Sequence, residues 1–480
     1  MSLLDQLREI ISPETLHTAG TPSASIAVLE DGKLFSCMIS KDPEQDTKTL
    51  YQACSISKAI TALAVAKLID EGQLTYDTLV AQHLPPSTLS ILAGPGASNW
   101  IEKVTVRMLL SHTSGLSQGG FPGHTKEVPS AEDVLAGKPP ANTQRVQFQT
   151  FPGAQFSYSG GGFTVLQIFL ESICKKTSAE LMRATVLEPL GMSRSHYGDL
   201  AHSEQNYAVA HRTADAQTDI RFHKFSELAA AGLWTTPEDL LKAIGAVQGS
   251  LVSDAGFITQ STAKQMLTAV PQSPTDPARG PMALGWGADA SVFAHRGFNF
   301  PGFACYAFGS HGGAVNQTDG KELTVPAGNG IAIMTNSELG FEAVKKIVSA
   351  VFYLKGWRRF ESMPCMFGSD DYVPAMVAGG GDVPDKDWKA WSGVWDGVWR
   401  LFEEDDGPHL AFLGGGDADV RLRLAACPVG RLGSGRREHV LVAEEVVVAV
   451  RLTWAGEERV VELMQVDEKT VLRLCESDRP

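Results

Sequence analysis

Tyr51-Gln52-Ala53-Cys54-Ser55-Ile56-Ser57-Lys58 opens the segment on which the reading of the whole chain turns. From Ile56 to Leu74 the chain is rich in Ala, Leu, Ile and Lys, with Gly72 near the end, so this run reads as a buried helix. Ser55 then stands at its first turn. Backbone N–H groups there have no partner within the helix and the helix dipole is positive, and both favour a developing oxyanion. Lys58 follows three residues later, on the same helix side as Ser55. The S-x-x-K spacing alone carries little weight, because it also occurs at Ser172/Lys175 and Ser261/Lys264. Ser172 falls late in a helical run, and Ser261 reads as an N-cap before a polar first turn. Only Ser55 joins a short non-helical lead-in to a long apolar helix. The plainer alternative is that Ser55 caps a core helix and Lys58 snorkels to water.

The chemistry explains why a lysine is wanted. A serine hydroxyl attacks a carbonyl only when a base takes its proton. An ordinary lysine, with a pKa of ~10.4, is neutral about once in 2,500 molecules at pH 7. Burial or a neighbouring cation that lowers the value to ~7–8 makes a usable base, at about 4 kcal/mol of charged-state stabilisation.

Outward from this segment, residues 23–40 read as a hairpin, two β-rich runs around the turn pair Asp31-Gly32. Residues 105–116 read as a short helix closed by a turn. Residues 117–153, rich in Gly, Pro, Gln and Ser, read as a long functional loop. Helical periodicity returns at 162–175. Gly330 to Asn336 reads as a strand, and Phe341 to Tyr353 as the helix after it. Residues 361–387 contain Val377-Ala378-Gly379-Gly380-Gly381 and three prolines, and read as a linker. Beyond it apolar and polar residues alternate in short runs: Trp395 to Phe402, His409 to Leu413, Val420 to Leu424, Val440 to Trp454, Val460 to Met464 and Val471 to Leu474. That is the pattern of an all-β sandwich or barrel. The 13 basic and 20 acidic residues from 381 to 480 give −7, half of the chain's −14, which supports a separate domain.

Length and composition limit the function classes. The 480 residues allow two to four domains. With 43% hydrophobic and 20% charged residues the chain is neither disordered nor fibrous. A net acidic chain without a basic tract is a poor partner for nucleic acid or anionic membranes. No apolar run approaches the ~18 residues that span a bilayer. Met1-Ser2-Leu3-Leu4-Asp5-Gln6 has no basic or apolar leader pattern, so no secretory signal is expected. The seven cysteines, at 37, 54, 174, 305, 365, 427 and 475, include no C-x-x-C. There is no H-E-x-x-H. The expectation is a reduced, cytoplasmic protein without metal or other cofactor.

Tyr51 to Lys58, taken with Leu109-Leu110-Ser111-His112-Thr113-Ser114-Gly115-Leu116, resembles the serine β-lactamase/penicillin-binding-protein superfamily. Within it, the chain is similar to the class C β-lactamase-like branch of esterases, D-aminopeptidases, DD-peptidases and fungal acyltransferases. The resemblance spans roughly residues 10–355 and implies an α+β fold: an antiparallel β-sheet flanked by helices, built from both ends of the segment, beside an all-helical subdomain. The implied organisation is a catalytic domain at 1–360, the linker at 361–387 and a β-barrel-like domain at 388–480. Gly393-Val394-Trp395 and Gly397-Val398-Trp399 give that last domain a resemblance to a lipocalin-type barrel.

The resemblance also implies roles. Tyr158, in Phe156-Ser157-Tyr158-Ser159-Gly160, becomes the partner of Lys58 in moving the Ser55 proton. Gly160 stands where the family has an Asn whose amide contacts substrate and lysine. The third motif has two candidates, His295-Arg296-Gly297 and His311-Gly312-Gly313. The first is preferred, because it follows Leu284-Gly285-Trp286 and continues as Phe298-Asn299-Phe300-Pro301-Gly302-Phe303. The second lies closer to Met334-Thr335-Asn336, as in some relatives. Gly297 would let substrate approach the strand, and the Phe298 N–H would join that of Ser55 in an oxyanion hole. A histidine, mostly neutral at pH 7, replaces a fixed cation for a substrate carboxylate.

The expected function is thus a serine hydrolase or acyltransferase that takes an ester, thioester or amide of a small molecule, such as a natural product, through a Ser55 acyl-enzyme. The expected partners are a small-molecule acyl donor and, for transfer, an acyl acceptor. The alternatives are a D-aminopeptidase-type peptidase and a non-catalytic binding protein of the same fold.

Overall fold

The computed structural model describes residues 3–93, 99–272, 281–300, 302–316, 322–355 and 357, together with eight strand segments between 393 and 472. Contacts divide the chain into residues 22–340 and a second unit of residues 1–21 with 341–480.

In the first unit, the strands Ser23–Glu30 and Lys33–Ser40 form the hairpin, paired from Ser23↔Ser40 to Glu30↔Lys33. Its two-residue turn holds Asp31 and Gly32 at φ +49° and +71°. Positive φ at both positions matches the right-handed twist of the flanking strands. The hairpin is one side of a six-stranded antiparallel sheet. Its order is 33–40, 23–30, 322–335, 303–316, 292–299 and 287–288. Ala24 pairs with Thr335 and Leu29 with Gly330, so the two ends of the segment meet in the middle of the sheet. The Gly330–Asn336 run expected as a strand is the end of the longer strand Glu322–Thr335.

Helices fill the intervening chain. Ile56–Asp70 contains neither glycine nor proline and is buried almost all round from Ile56 to Ala66, as an apolar core helix must be. It ends four residues before the expected Leu74. Gly72 takes φ +72°, its N–H bonds the Ile69 carbonyl, and the Gln73 N–H bonds the Leu68 carbonyl, which closes the last turn. Val106–Leu110 is capped by Thr105 and Gly160–Cys174 by Ser159. The expected long loop at 117–153 contains one helix, Ala131–Ala136, between a Ser130 cap and Gly137 at φ +64°. Helix Gln260–Leu267 is capped by Thr259, not by Ser261. Helix Pro237–Val252 packs on the sheet. One continuous apolar core joins sheet and helices, with Leu63, Phe163, Phe169, Trp286 and Phe293 buried in it.

The second unit contains helices Leu3–Ile10 and Pro13–Thr18 and most of Gly340–Lys355. It also holds strands Gly393–Trp395, Trp399–Glu404, Gly407–Phe412, Val420–Ala426, Glu438–Ala443, Ala449–Ala455, Glu458–Met464 and Lys469–Leu472. Each pairs antiparallel with the next, in an eight-stranded meander. Two expected strands each divide in two. Trp395 pairs antiparallel with Trp399, and Val440–Trp454 splits between Ala443 and Ala449. Alternation alone does not reveal where a strand reverses. The expected linker at 361–387, Gly397 and Val398 lie outside the described residues. Among the described residues no helix is long and apolar enough to cross a membrane, and no cluster of three or more His, Cys, Asp or Glu could hold a metal ion.

One close contact ties the sheet to the helix Ile56–Asp70. Gly285 takes φ +79°, and a Cβ there would stand 2.3 Å from Ala62 Cβ and 3.3 Å from the Lys58 carbonyl. Ala62 is anchored to helix backbone and cannot swing aside. Gly285→Ala is expected to destabilise the protein by about 2–4 kcal/mol, from overpacking and the left-handed backbone together. Urea unfolding followed by circular dichroism checks this, and an unchanged midpoint would disprove the contact.

Candidate active site

The lead-in to Ser55 is held from several sides. Tyr51–Gln52 pairs with Leu233–Thr235, which pairs in turn with His196–Tyr197. The Ala53 N–H bonds the Leu233 carbonyl at 2.9 Å. Cys54 then takes φ +50°, a conformation that costs a non-glycine residue about 1–2 kcal/mol. Ser57 stabilises it: its hydroxyl donates to the Cys54 carbonyl at 2.6 Å and accepts from the Leu233 N–H at 3.0 Å. Tyr197 Oη donates to the Ser57 carbonyl at 3.0 Å. This sharp turn delivers Ser55 to the helix start. Its side chain makes no capping bond, so the reading of Ser55 as a plain N-cap does not hold. Its own N–H makes no hydrogen bond among the described residues.

Lys58 is 2% exposed. Its Nζ donates to Ser55 Oγ at 3.1 Å and to the Ala230 carbonyl at 2.8 Å. It also lies 5.1 Å from the Tyr158 ring centroid and 5.8 Å from that of Phe163. The Ala230 carbonyl belongs to the short helix Leu228–Ala231. Thr61 Oγ1 holds that helix through the Ala229 carbonyl, and Gln167 bonds both the Ser226 carbonyl and the Ala229 N–H. Sequence reasoning missed Ala230 because a backbone acceptor leaves no mark on residue type. The other two S-x-x-K pairs show no such geometry. Lys175 sits at φ +53° and ends its helix, and Ser261 and Lys264 lie in the first two turns of a separate one.

Tyr158 directly precedes Ser159, the cap of the helix Gly160–Cys174. Ser159 Oγ accepts from the Gly162 N–H at 2.7 Å and donates to the Ser117 carbonyl at 3.1 Å. At Gly160 a Cβ would stand 2.9 Å from Phe121 Cε2 and 3.2 Å from the Gly119 carbonyl. The Phe121 ring and the Gly119 carbonyl occupy the space that a side chain at Gly160 would need.

In the strand Val292–Asn299, His295, Gly297 and Asn299 face inward, while Arg296 and Phe298 are exposed. A Cβ at Gly297 would stand 2.2 Å from the Ala53 carbonyl and 3.2 Å from Cys54 Cβ. Only glycine lets this strand pass so close to the turn before Ser55. Asn299 Nδ2 donates to Gln52 Oε1 at 3.2 Å. His295 Nδ1 lies 2.7 Å from the Arg296 carbonyl, which places a proton on Nδ1. Burial first, and then the charge of Lys58, push the His295 pKa down to about 3. His311 is elsewhere: its Nε2 contacts the Asp289 carbonyl at 3.1 Å and its ring stacks near Phe293. Of the two candidates for the third motif, His295 is the one whose pKa feels the Lys58 charge and whose strand passes against the turn before Ser55. Ser55, Lys58, Tyr158, His295 and Gly297 thus converge on one place, with the Phe298 backbone next to Gly297.

The sequence profile described as Beta-lactamase matches residues 5–351. Protein flp of Staphylococcus aureus strain COL is 22% identical over 245 residues, which are 48% of this chain and 46% of that protein. Penicillin-binding protein 4 of Amycolatopsis lactamdurans is 30% identical over 179 residues, 36% of this chain and 44% of that one. The chain spans about half the length of the curated relatives it matches. Among solved structures, the octameric penicillin-binding protein homologue from Pyrococcus abyssi superposes with a TM-score of 0.58 at 18% identity, over 98% of this chain and 100% of that one. The D-amino acid amidase from Ochrobactrum anthropi SV3, complexed with D-phenylalanine, gives 0.58 at 16% identity over 74% and 99%. SurE with D-Leu gives 0.54 at 19% identity over 98% and 99%. These structural likenesses are of fold.

The buried histidines have a measurable consequence. Burial, then Lys58 and His295, hold His112 well below the ordinary histidine value, and His295 shifts the same way. An unfolded histidine takes a proton below pH ~6.5, while these two stay neutral in the fold. Below that pH the unfolded state binds more protons, so stability is full above ~6.5 and falls as the pH drops toward 3. Each histidine that stays neutral is expected to remove about 2 kcal/mol between pH 6.5 and 5. Urea unfolding at pH 7 and pH 5, with imidazole NMR titration, measures this; ring signals that titrate near pH 6.5 would contradict it.

Proposed function

The chain belongs to the beta-lactamase family, and from that premise we propose that it is a serine hydrolase or acyltransferase working through a Ser55 acyl-enzyme. The observation that carries this reading is the 3.1 Å contact between Ser55 Oγ and Lys58 Nζ at a strained turn into a buried helix. The step begins once Lys58 has given up a proton: its free amine then accepts the Ser55 proton while still donating to the Ala230 carbonyl. Ser55 Oγ attacks the carbonyl carbon of the donor, and the carbonyl oxygen becomes an oxyanion bonded by the N–H groups of Ser55 and Phe298. The bond to the leaving group then breaks, and that group takes the proton through Lys58 and Tyr158. Water or an acceptor alcohol or amine releases the acyl group by the reverse sequence.

Two features narrow the donor. His295, held neutral, supplies no fixed cation for a substrate carboxylate. Gly160 carries no side-chain amide, and the Phe121 ring lies against it. Both favour an ester, thioester or amide of a small molecule, such as a natural product, over a β-lactam. A second reading, an amidase or aminopeptidase for D-configured substrates, takes its lead from the D-amino acid amidase and the SurE complex with D-Leu.

A fluorophosphonate probe and p-nitrophenyl esters test the proposal directly. The wild type is expected to label and turn over, and Ser55→Ala to do neither. Intact-mass detection of an acyl adduct on Ser55 from a donor panel would identify the donor class, and preference for a D-leucine anilide over esters would favour the second reading. A wild type that neither labels nor turns over would favour a binding protein. Tyr158→Phe is expected to lower kcat by ~10²–10⁴-fold if its hydroxyl moves a proton, and an unchanged rate would remove it from the mechanism.

A further inference from the structure

His112 lies in the Leu109–Leu116 motif, yet the mechanism above gives it no task. It is 0% exposed and takes φ +59°, a left-handed conformation uncommon outside glycine that histidine, like asparagine, adopts more readily than most residues. The turn accepts a histidine without demanding one, so the contacts of the ring bear on its role.

Its contacts are concentrated on Tyr158 and the two residues beside it. The His112 carbonyl accepts from the Ser157 N–H at 2.8 Å. Its Nδ1 accepts from the Ser159 N–H at 3.1 Å. Its ring lies 4.2 Å from the Tyr158 ring, tilted by 34°. Phe156 and Phe163 close on the same imidazole at 6.0 and 5.2 Å between centroids. Phe163 is also one of the two rings beside the Lys58 amine. Because Nδ1 accepts, the proton of the neutral ring sits on Nε2, which is buried and has no partner among the described residues. A buried donor left unpaired costs about 1–3 kcal/mol. The ring is kept despite that cost, where an apolar side chain would avoid it.

We propose that His112 is a positioning residue for Tyr158: through Nδ1, its carbonyl and its ring face it sets where the Tyr158 hydroxyl stands relative to Lys58 and Ser55. The inference rests on the role given to Tyr158 above. Protonation of Nδ1 would abolish the bond to Ser159 and bring a second cation close to Lys58, so the device works only with a neutral ring. Burial keeps it so.

Two variants separate the contributions. His112→Asn keeps an acceptor for the Ser159 N–H and tolerates positive φ, but removes the ring. His112→Phe keeps the ring and removes the acceptor. Both are assayed with a p-nitrophenyl ester in the full chain. His112→Asn is expected to lower kcat about 10–100-fold with KM changed less than about twofold, the scale of an ångström-sized misplacement. In a Tyr158→Phe background the same change is expected to cost less than about twofold, because His112 acts through that hydroxyl. A full multiplicative loss in the double variant, or an unchanged kcat in the single one, would overturn the proposal. If His112→Phe does not fold, the Asn variant alone decides. If the wild type shows no esterase activity, the Tyr158 reading fails separately. The crystal structure of His112→Asn then decides: a Tyr158 ring displaced from the Lys58 amine supports positioning, and an unmoved ring refutes it.

Discussion

A buried amine that keeps a hydroxyl within 3.1 Å is the constraint from which the rest of this site follows. Lys58 is out of water, so each of its N–H groups needs an oxygen or an aromatic face. The protein supplies the Ala230 carbonyl, the Ser55 hydroxyl and the rings of Tyr158 and Phe163. Ala230 and the Tyr158–Phe163 pair come from two other parts of the chain, and Ser55 from the preceding turn of the same helix start. The short helix Leu228–Ala231 exists in this position because Thr61 and Gln167 hold it from two separate helices. Removing any one support would leave the amine with an unmatched proton.

Close approach is the second theme. The sheet edge and the helical region meet where side chains are absent. Gly285 lets the chain before the strand Val292–Asn299 press on Ala62, and Gly297 lets that strand pass the Ala53 carbonyl. These contacts align the backbone beside Phe298 with the start of the helix that carries Ser55. Gly160 has the opposite consequence: the Phe121 ring and the Gly119 carbonyl occupy the space that a side chain there would need. One missing side chain permits a close backbone approach, and another leaves its space to an aromatic ring.

Backbone strain is present at this site as well. Cys54 and His112 both hold positive φ without being glycine. Both are surrounded by hydrogen bonds that fix them, Cys54 through Ser57 and His112 through Ser157 and Ser159. Such outliers persist only where neighbours over-determine them, and here they bracket the reacting groups.

Local pattern alone determined a good deal. The Asp31-Gly32 hairpin, the apolar helix after Ser55, the helix after Tyr158 and the strand with His295 were legible because period, turn chemistry and motif order are properties of short segments. The i, i+3 geometry of Ser55 and Lys58 follows from helical pitch. Other features had no local signature. Alternation did not show that Val440–Trp454 reverses, nor did composition show the helix inside 117–153 or the Thr259 cap. Tertiary structure alone decided that Ser55 does not cap its helix, that His295 rather than His311 feels the Lys58 charge, that Ala230 bonds the amine, and that His112 lies against Tyr158. The Lys58–Ala230 and His112–Tyr158 contacts join residues 172 and 46 positions apart, and the first is made by a backbone oxygen. Backbone acceptors are common to every residue type, so only the folded chain determines which one a buried proton meets.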